Sequence, residues 1–147
     1  MPGANAQCIP ADIDAQIELI ERADIVLMQM EIPLATVTYA AKVAKLLQKT
    51  VILNPAPAQK LPPELLASVD YLTPNETELS MLAEGESDLV ERMDALLKQG
   101  VRHVVATARS TGSGIQGSSW IAAAHFRPSG SSRRYDWRRR RLQCIIF

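Results

Sequence analysis

Short apolar runs alternate along the chain with longer segments in which apolar residues recur every three or four positions. The short runs are rich in β-branched residues and predict buried strands, whereas the spaced segments predict amphipathic helices. The predicted strands span residues 25–30, 50–54, 69–72 and 103–107. The predicted helices begin near residue 11 and then span 33–48, 62–66, 75–83 and 88–99. Strands that alternate with helices predict an α/β fold built on a parallel sheet.

Polar side chains follow three of the predicted strands. Gln29 and Glu31 come after the first strand, Asn54 ends the second, and Asn75 and Glu78 come after the third. The carboxyl ends of parallel strands meet at one edge of the sheet, and ligands bind at that edge in such folds. The sequence therefore predicts a ligand site that these side chains form together.

Each of these positions also has an interpretation that requires no ligand. Glu31 is compatible with a solvated residue in a strand–helix loop. Asn75 and Glu78 have the spacing of a helix cap with its capping-box acid, and residues 54–57 are compatible with a rigid turn. The functional alternatives are a carboxylate aimed at a ligand hydroxyl and a carboxylate that orders the water shell of Mg²⁺. The spacing alone leaves both sets of interpretations open.

The composition changes abruptly after Thr107. Residues 1–107 carry eight Lys and Arg against fifteen Asp and Glu, whereas the last forty residues carry eight Arg, no Lys and one acid, Asp136. The net charge of zero therefore conceals an acidic segment and a basic one. Gly, Ser and Arg dominate residues 108–147 without a helical or strand period, which predicts a tail without regular structure.

Neither a membrane protein nor a secreted protein is expected. No run approaches the ~18 apolar residues of a membrane-spanning helix, and the first residues lack the basic and apolar stretches of a signal peptide. Cys8 and Cys144 have no metal-ligand spacing and fit a reducing cytoplasm, which is the expected location. The arginines at 138–141 resemble a nucleic-acid patch, but they lack interleaved aromatic residues, so a nucleic-acid partner is not expected.

Two proline-containing segments carry a resemblance to a known family. Leu53-Asn54-Pro55-Ala56-Pro57-Ala58 and Thr73-Pro74-Asn75-Glu76-Thr77-Glu78 resemble the ribokinases, a branch of the phosphofructokinase-B-like sugar kinases. Residues 3–6, 27–34 and 61–66 support the resemblance. It implies that residues 1–107 form a partial, doubly wound and mainly parallel sheet with helices on both faces, followed by the tail at 108–147.

The resemblance also implies an activity, the ATP-dependent phosphorylation of D-ribose at its 5-hydroxyl with Mg²⁺ and a stimulating K⁺. Glu31 matches the glutamate that hydrogen-bonds the sugar. Asn75 matches a residue near the ATP phosphates, and Glu78 matches the acid that organises Mg²⁺ through water. An amide and an acid near the phosphates suit phosphoryl transfer, which depends on positioning and charge neutralisation. A partial sheet leaves apolar surface uncovered, which favours a homo-oligomer.

Two parts of the family pattern have no counterpart in this sequence: the N-terminal half with its sugar-gripping aspartate, and the Gly-Ala-Gly-Asp signature with its catalytic base. A shift of one nucleotide after Thr107 is compatible with Leu-Gly-x-x-Gly at residues 108–112. The same shift is compatible with Val-Asp-Thr-Thr-Gly-Ala-Gly-Asp from residue 133 onward. We therefore interpret the tail as an out-of-frame reading of a kinase gene, and we expect this chain to lack a catalytic base and kinase activity.

Two other interpretations remain open. One is a kinase of another sugar or of a nucleoside. The other is a non-catalytic chain, either a pseudogene product or a binding module whose basic tail touches nucleic acid. An upstream coding segment with the absent aspartate would favour a broken kinase gene, whereas a promoter and start codon at Met1 would favour a binding module.

Overall fold

The computed structural model describes residues 3–85, 88–109, 120–126 and 144–146. These residues form one six-stranded sheet with six helices and a short 3-10 helix at Ala4–Gln7. The strands are β1 (Ile25–Gln29), β2 (Thr50–Asn54), β3 (Tyr71–Leu72), β4 (His103–Arg109), β5 (Trp120–Phe126) and β6 (Cys144–Ile146). The helices are α1 (Pro10–Asp14), α2 (Ile17–Arg22), α3 (Leu34–Leu46), α4 (Pro63–Leu66), α5 (Glu76–Leu82) and α6 (Leu89–Lys98).

The strands lie side by side in the order β5-β4-β3-β2-β1-β6. Strands β1 to β4 are parallel neighbours in chain order, β6 adds to β1 in parallel, and β5 adds to β4 in antiparallel orientation. In the β1–β2 pair, Val26 lies opposite Val51 and Met28 opposite Leu53. The α/β fold with a parallel sheet that the sequence predicts is therefore confirmed.

One face of the sheet holds the hydrophobic core. Val26 and Met28 of β1, and Val51 and Leu53 of β2, are fully buried in a single apolar cluster to which all six helices contribute. The residues that alternate with them on β1 and β2, among them Leu27 and Ile52, are only half-buried. We call this half-buried side the second sheet face.

Helices pack against the sheet, as the α/β prediction requires. Residues from each of the six helices join the apolar cluster that covers the core face. Connections between parallel strands are almost always right-handed. The helices that connect β1 to β4, which follow one another in chain order, are therefore placed on the same side of the sheet.

The prediction of a tail without regular structure needs correction at two segments. Strand β4 continues past Thr107 to Arg109, and β5 and β6 both fall within residues 108–147. Both added strands coincide with short apolar runs, which the abundant Gly, Ser and Arg around them concealed. Residues 110–119, 127–143 and 147 lie outside the described part of the chain, so the remaining expectation for the tail stays a prediction.

The first predicted helix is divided into α1 and α2. The break lies at Gln16, whose backbone leaves the helical region with φ −112° and ψ 17°. Ile13 of α1 and Ile20 of α2 are both buried in the core. Over the described ranges, no helix combines the length and apolar character needed to cross a membrane.

Candidate functional site

The carboxyl ends of the parallel strands bring the predicted site residues to one edge of the sheet. Glu31 lies exposed in the turn after β1, and Asn54 is the last residue of β2. Asn75 follows β3 after a two-residue connection and pairs with Thr107 of β4 in an isolated parallel bridge. The structure therefore places the three strand ends along the edge where parallel sheets bind ligands, while the role of each residue remains a prediction.

Asn75 and Glu78 are held by a reciprocal pair of hydrogen bonds at the start of α5. The backbone N–H of Glu78 donates to Asn75 Oδ1 at 2.9 Å, and the backbone N–H of Asn75 donates to Glu78 Oε2 at 2.9 Å. This is the capping box that the sequence predicts. It uses one side-chain oxygen of each residue, so the Asn75 Nδ2 group and Glu78 Oε1 lie outside the cap. Capping and ligand binding are therefore compatible.

The loops after β1 and β2 are joined through their backbones. The N–H of Met30 donates to the carbonyl of Ala56 at 2.9 Å, and Gln29 lies opposite Asn54 in the strand register. The turn after Asn54 contains a cis peptide bond between Ala56 and Pro57. The hydrogen bond between Met30 and Ala56 fixes the position of Glu31 relative to the end of β2.

Asn54 is unusual among the polar residues of this edge. Its Oδ1 atom is buried and has no hydrogen-bond partner among the described residues. Buried polar side-chain atoms are paired in the large majority of cases, so an unpaired one requires an explanation. Sequence analysis identified Asn54 only by its position after a strand and as part of a rigid turn.

A buried acid that sequence analysis missed lies at the opposite edge of the sheet. Asp70 precedes β3, and its carboxylate accepts a hydrogen bond from the Val51 N–H at 2.9 Å. Lys45 Nζ lies 2.8 Å from both carboxylate oxygens, and Arg102 Nη1 lies 3.3 Å from Oδ1. The group joins α3, β2 and the start of β4 at the amino edge, away from the candidate site. An acid within an apolar run is the signal that could have identified it.

His103 and Cys8 lie outside the predicted site. The His103 ring stacks on the Tyr71 ring with 4.5 Å between ring centroids and an interplanar angle of 18°. Cys8 is a free, half-buried thiol. Within the described ranges, no three His, Cys, Asp or Glu side chains are grouped as a metal centre would require.

A pKa shift occurs outside this edge. Tyr39 Oη donates a hydrogen bond to Asp14 Oδ1 at 2.6 Å, and this bond raises the pKa of Tyr39 above its ordinary value. The contact joins α3 to α1.

The carboxyl edge offers carboxylates and amides. Glu31 and Glu78 are the predicted carboxylates, and Gln29, Asn54 and Asn75 supply the amides. This combination suits hydroxyl groups and a hydrated cation rather than covalent catalysis.

Comparison with known proteins relates the chain to a family of carbohydrate kinases. The profile of the pfkB family of carbohydrate kinases matches residues 1–121. The chain is 39% identical over 115 residues to a bifunctional ribokinase/ribose-5-phosphate isomerase A from Fructilactobacillus sanfranciscensis, which covers 76% of this chain and 21% of that protein. It is 35% identical over 114 residues to a ribokinase from Staphylococcus aureus, covering 75% of this chain and 38% of that protein.

A solved structure gives the same relationship. The Arabidopsis thaliana ribokinase complexed with ribose and ATP aligns with a TM-score of 0.61 and 36% identity, over 76% of this chain and 38% of that one. The chain thus spans no more than about two-fifths of the length of these relatives. The family match at residues 1–121 extends over the part of the chain that carries the candidate site.

Proposed function

Because the chain belongs to the pfkB family of carbohydrate kinases, we propose that it is part of a ribokinase, which transfers the γ-phosphoryl group of ATP to the 5-hydroxyl of D-ribose. The observation that carries the proposal is the position of Glu31, Asn75 and Glu78 at one carboxyl edge of a parallel sheet. Relatives named as ribokinases support it, including one solved with ribose and ATP.

In this proposal, Glu31 binds the sugar. Its exposed carboxylate follows β1 and accepts a hydrogen bond from a ribose hydroxyl. Because β2 separates β1 from β3, the two outer strand axes lie about 10 Å apart. That separation leaves room for the sugar near β1 and for the triphosphate near β3, so that the two substrates meet above the end of β2.

Asn75 and Glu78 bind the nucleotide with Mg²⁺. Glu78 suits this ion because carboxylate oxygens hold the water shell of Mg²⁺, and its Oε1 is not used by the cap. Bound Mg²⁺ neutralises the charge of the transferring phosphates. The Asn75 Nδ2 group donates a hydrogen bond to a phosphate oxygen. A stimulating K⁺ belongs to the proposal by resemblance, but we assign it no residue of this chain.

The 147-residue chain by itself is proposed to be inactive. The only acid within residues 108–147 is Asp136, and it does not lie in a Gly-Ala-Gly-Asp sequence that would make it the general base. Glu31, Asn75 and Glu78 bind and position the substrates, and none of them takes the proton of the sugar hydroxyl. The chain is therefore proposed to retain substrate binding without turnover.

Calorimetric titration of the full 147-residue chain with D-ribose alone and with Mg-ATP alone tests the proposal. Glu31→Gln should weaken ribose binding by about tenfold or more, because a hydrogen bond to a charged acceptor is lost, and should leave Mg-ATP binding unchanged. Glu78→Gln keeps a capping-box side chain and should weaken Mg-ATP binding only.

Glu76→Gln is the matched control, since Glu76 is an exposed acid in the same first turn of α5. This substitution should change neither affinity. Equal losses in the Glu76 and Glu78 variants, or no binding of either substrate to the unmodified chain, would contradict the proposal.

A further inference from the structure

Asn54 combines a buried acceptor with a place in the candidate site. Its Oδ1 atom is shielded from solvent and has no hydrogen-bond partner in the described part of the chain. An acceptor in this state loses its bonds to water on folding and regains nothing from the protein. A protein retains such an unpaired atom when a function, for example ligand binding, outweighs the loss of stability.

The position of β2 places Asn54 between the two proposed substrate regions. Asn54 lies opposite Gln29, the last residue of β1. Gln29 precedes Glu31 by two residues in the chain. On the other side, the N–H of Thr73 donates to the carbonyl of Leu53 at 3.0 Å, two residues before Asn75. A side chain at the end of β2 is therefore flanked by both strand ends that carry the site.

The backbone around Asn54 is held in place. Pro55 is buried, and a following proline keeps the preceding residue in an extended conformation. Beyond it, the carbonyl of Ala56 accepts the hydrogen bond from Met30. The amide is therefore presented by a fixed turn, as in binding sites that are largely formed before the ligand arrives.

We propose that Asn54 is a ligand-binding residue whose Oδ1 accepts a hydrogen bond from an O–H group that a substrate brings. The inference rests on the proposed function. Phosphate oxygens are acceptors at neutral pH and cannot satisfy Oδ1. The donors available at this edge are a hydroxyl of the sugar and a water molecule carried by the magnesium nucleotide, and both offer the same O–H chemistry.

The first measurement requires no ligand. Asn54→Leu replaces the amide by an apolar side chain of similar size, and it removes the unpaired acceptor. The midpoint of urea unfolding should therefore stay the same or rise. Asn54→Ala removes the amide without adding bulk and guards against a steric clash in the Leu variant. A clear fall of the midpoint in both variants would show that the amide has a structural partner, which would overturn the proposal.

The second measurement titrates each variant separately with D-ribose and with Mg-ATP. Asn54→Leu should weaken one of the two by about three- to tenfold, as expected for the loss of a neutral hydrogen bond. The affected substrate identifies the source of the O–H donor. Asn5→Leu, at an exposed asparagine of the N-terminal 3-10 helix, is the control and should change neither affinity.

The outcomes separate this inference from the proposed function. Unchanged affinity of Asn54→Leu for both substrates, with normal binding by the unmodified chain, would overturn the role of Asn54 and leave the proposed function intact. Absence of binding of either substrate to the unmodified chain would overturn both.

Discussion

Replacement of Asp70 by alanine should destabilise the amino edge of the sheet. The Asp70 carboxylate is 7% exposed, and it supplies the acceptor for the N–H of Val51, which begins the core of β2. Alanine leaves that N–H buried without a partner. It also removes the anion that faces Lys45 and Arg102.

The magnitude follows from the exposure of each partner. A buried N–H that loses its acceptor costs about 1–3 kcal/mol. The Lys45 and Arg102 side chains are 33% and 63% exposed, so water replaces their lost ion pairs at a cost of up to about 1 kcal/mol together. The total of about 1–4 kcal/mol is a substantial fraction of the 5–15 kcal/mol typical of a whole domain.

Amide hydrogen exchange measures this effect at the affected bond. The Val51 N–H should exchange about five- to 150-fold faster in Asp70→Ala, which is the factor equivalent to 1–3 kcal/mol. Because exchange is read residue by residue, the assay does not depend on a cooperative melt. Asp70→Asn keeps an acceptor oxygen without the charge and should show a smaller acceleration.

Glu64→Ala is the control for a lost ion pair without a buried donor. The Glu64 carboxylate pairs with Lys42 at 3.2 Å, and its side chain is 60% exposed. This variant should leave Val51 exchange unchanged. The same exchange rate for Val51 in Asp70→Ala and in the unmodified chain would refute the structural role assigned to Asp70.

Three further predictions concern the helix cap, the second sheet face and the reading frame. Glu78→Ala should lower stability by about 1 kcal/mol through loss of the cap, whereas Glu78→Gln should not; equal melting temperatures for both variants would contradict this. The chain should self-associate through the half-buried second sheet face, so Ile52→Thr should lower the weight-average mass measured by analytical ultracentrifugation. Leu46→Thr, at a side chain 82% exposed on α3, should leave that mass unchanged. A monomeric unmodified chain would refute the prediction. Removal of one nucleotide after the Thr107 codon, in a chain extended by the N-terminal half of the family pattern, should give ribose phosphorylation in a coupled ATP assay. Replacement of the restored aspartate by Asn should reduce the rate of that phosphorylation by about 10²–10⁴-fold. A repaired enzyme that prefers another sugar would retain the family and overturn ribose as the substrate.

The elements that the sequence predicts well are those with a strong local signal. The strands at residues 25–30 and 50–54 are apolar runs bounded by turn residues, and Asn75 with Glu78 has the spacing of a capping box. The common edge of the site follows from these elements, because parallel strands end on the same side. The apolar segment at β5 escaped prediction because it lies in a stretch dominated by Gly, Ser and Arg.

The less predictable features depend on contacts between distant residues. Asp70 receives its partners from residues 45, 51 and 102, and no local pattern reports such a group. The unpaired oxygen of Asn54 depends on what surrounds it in three dimensions. The order of the strands across the sheet is a third such feature, because the alternation of strands and helices along the sequence leaves it undetermined.

The sequential strand order also has a consequence for the order of assembly during synthesis. Each of β2, β3 and β4 adds beside the strand that precedes it in the chain, so the contacts that form the centre of the sheet are close in sequence and form rapidly. During synthesis the residues of β1, α3 and β2 leave the ribosome before those of β3. The unit β1–α3–β2 can therefore fold before β3 has emerged. Strand β6 is the exception, because its Cys144 pairs with Ile25, which lies before β2 in the chain. The free edge of β1 therefore stays open until β6 has been synthesised, and β1 gains its second neighbour later than β2, β3 and β4 gain theirs.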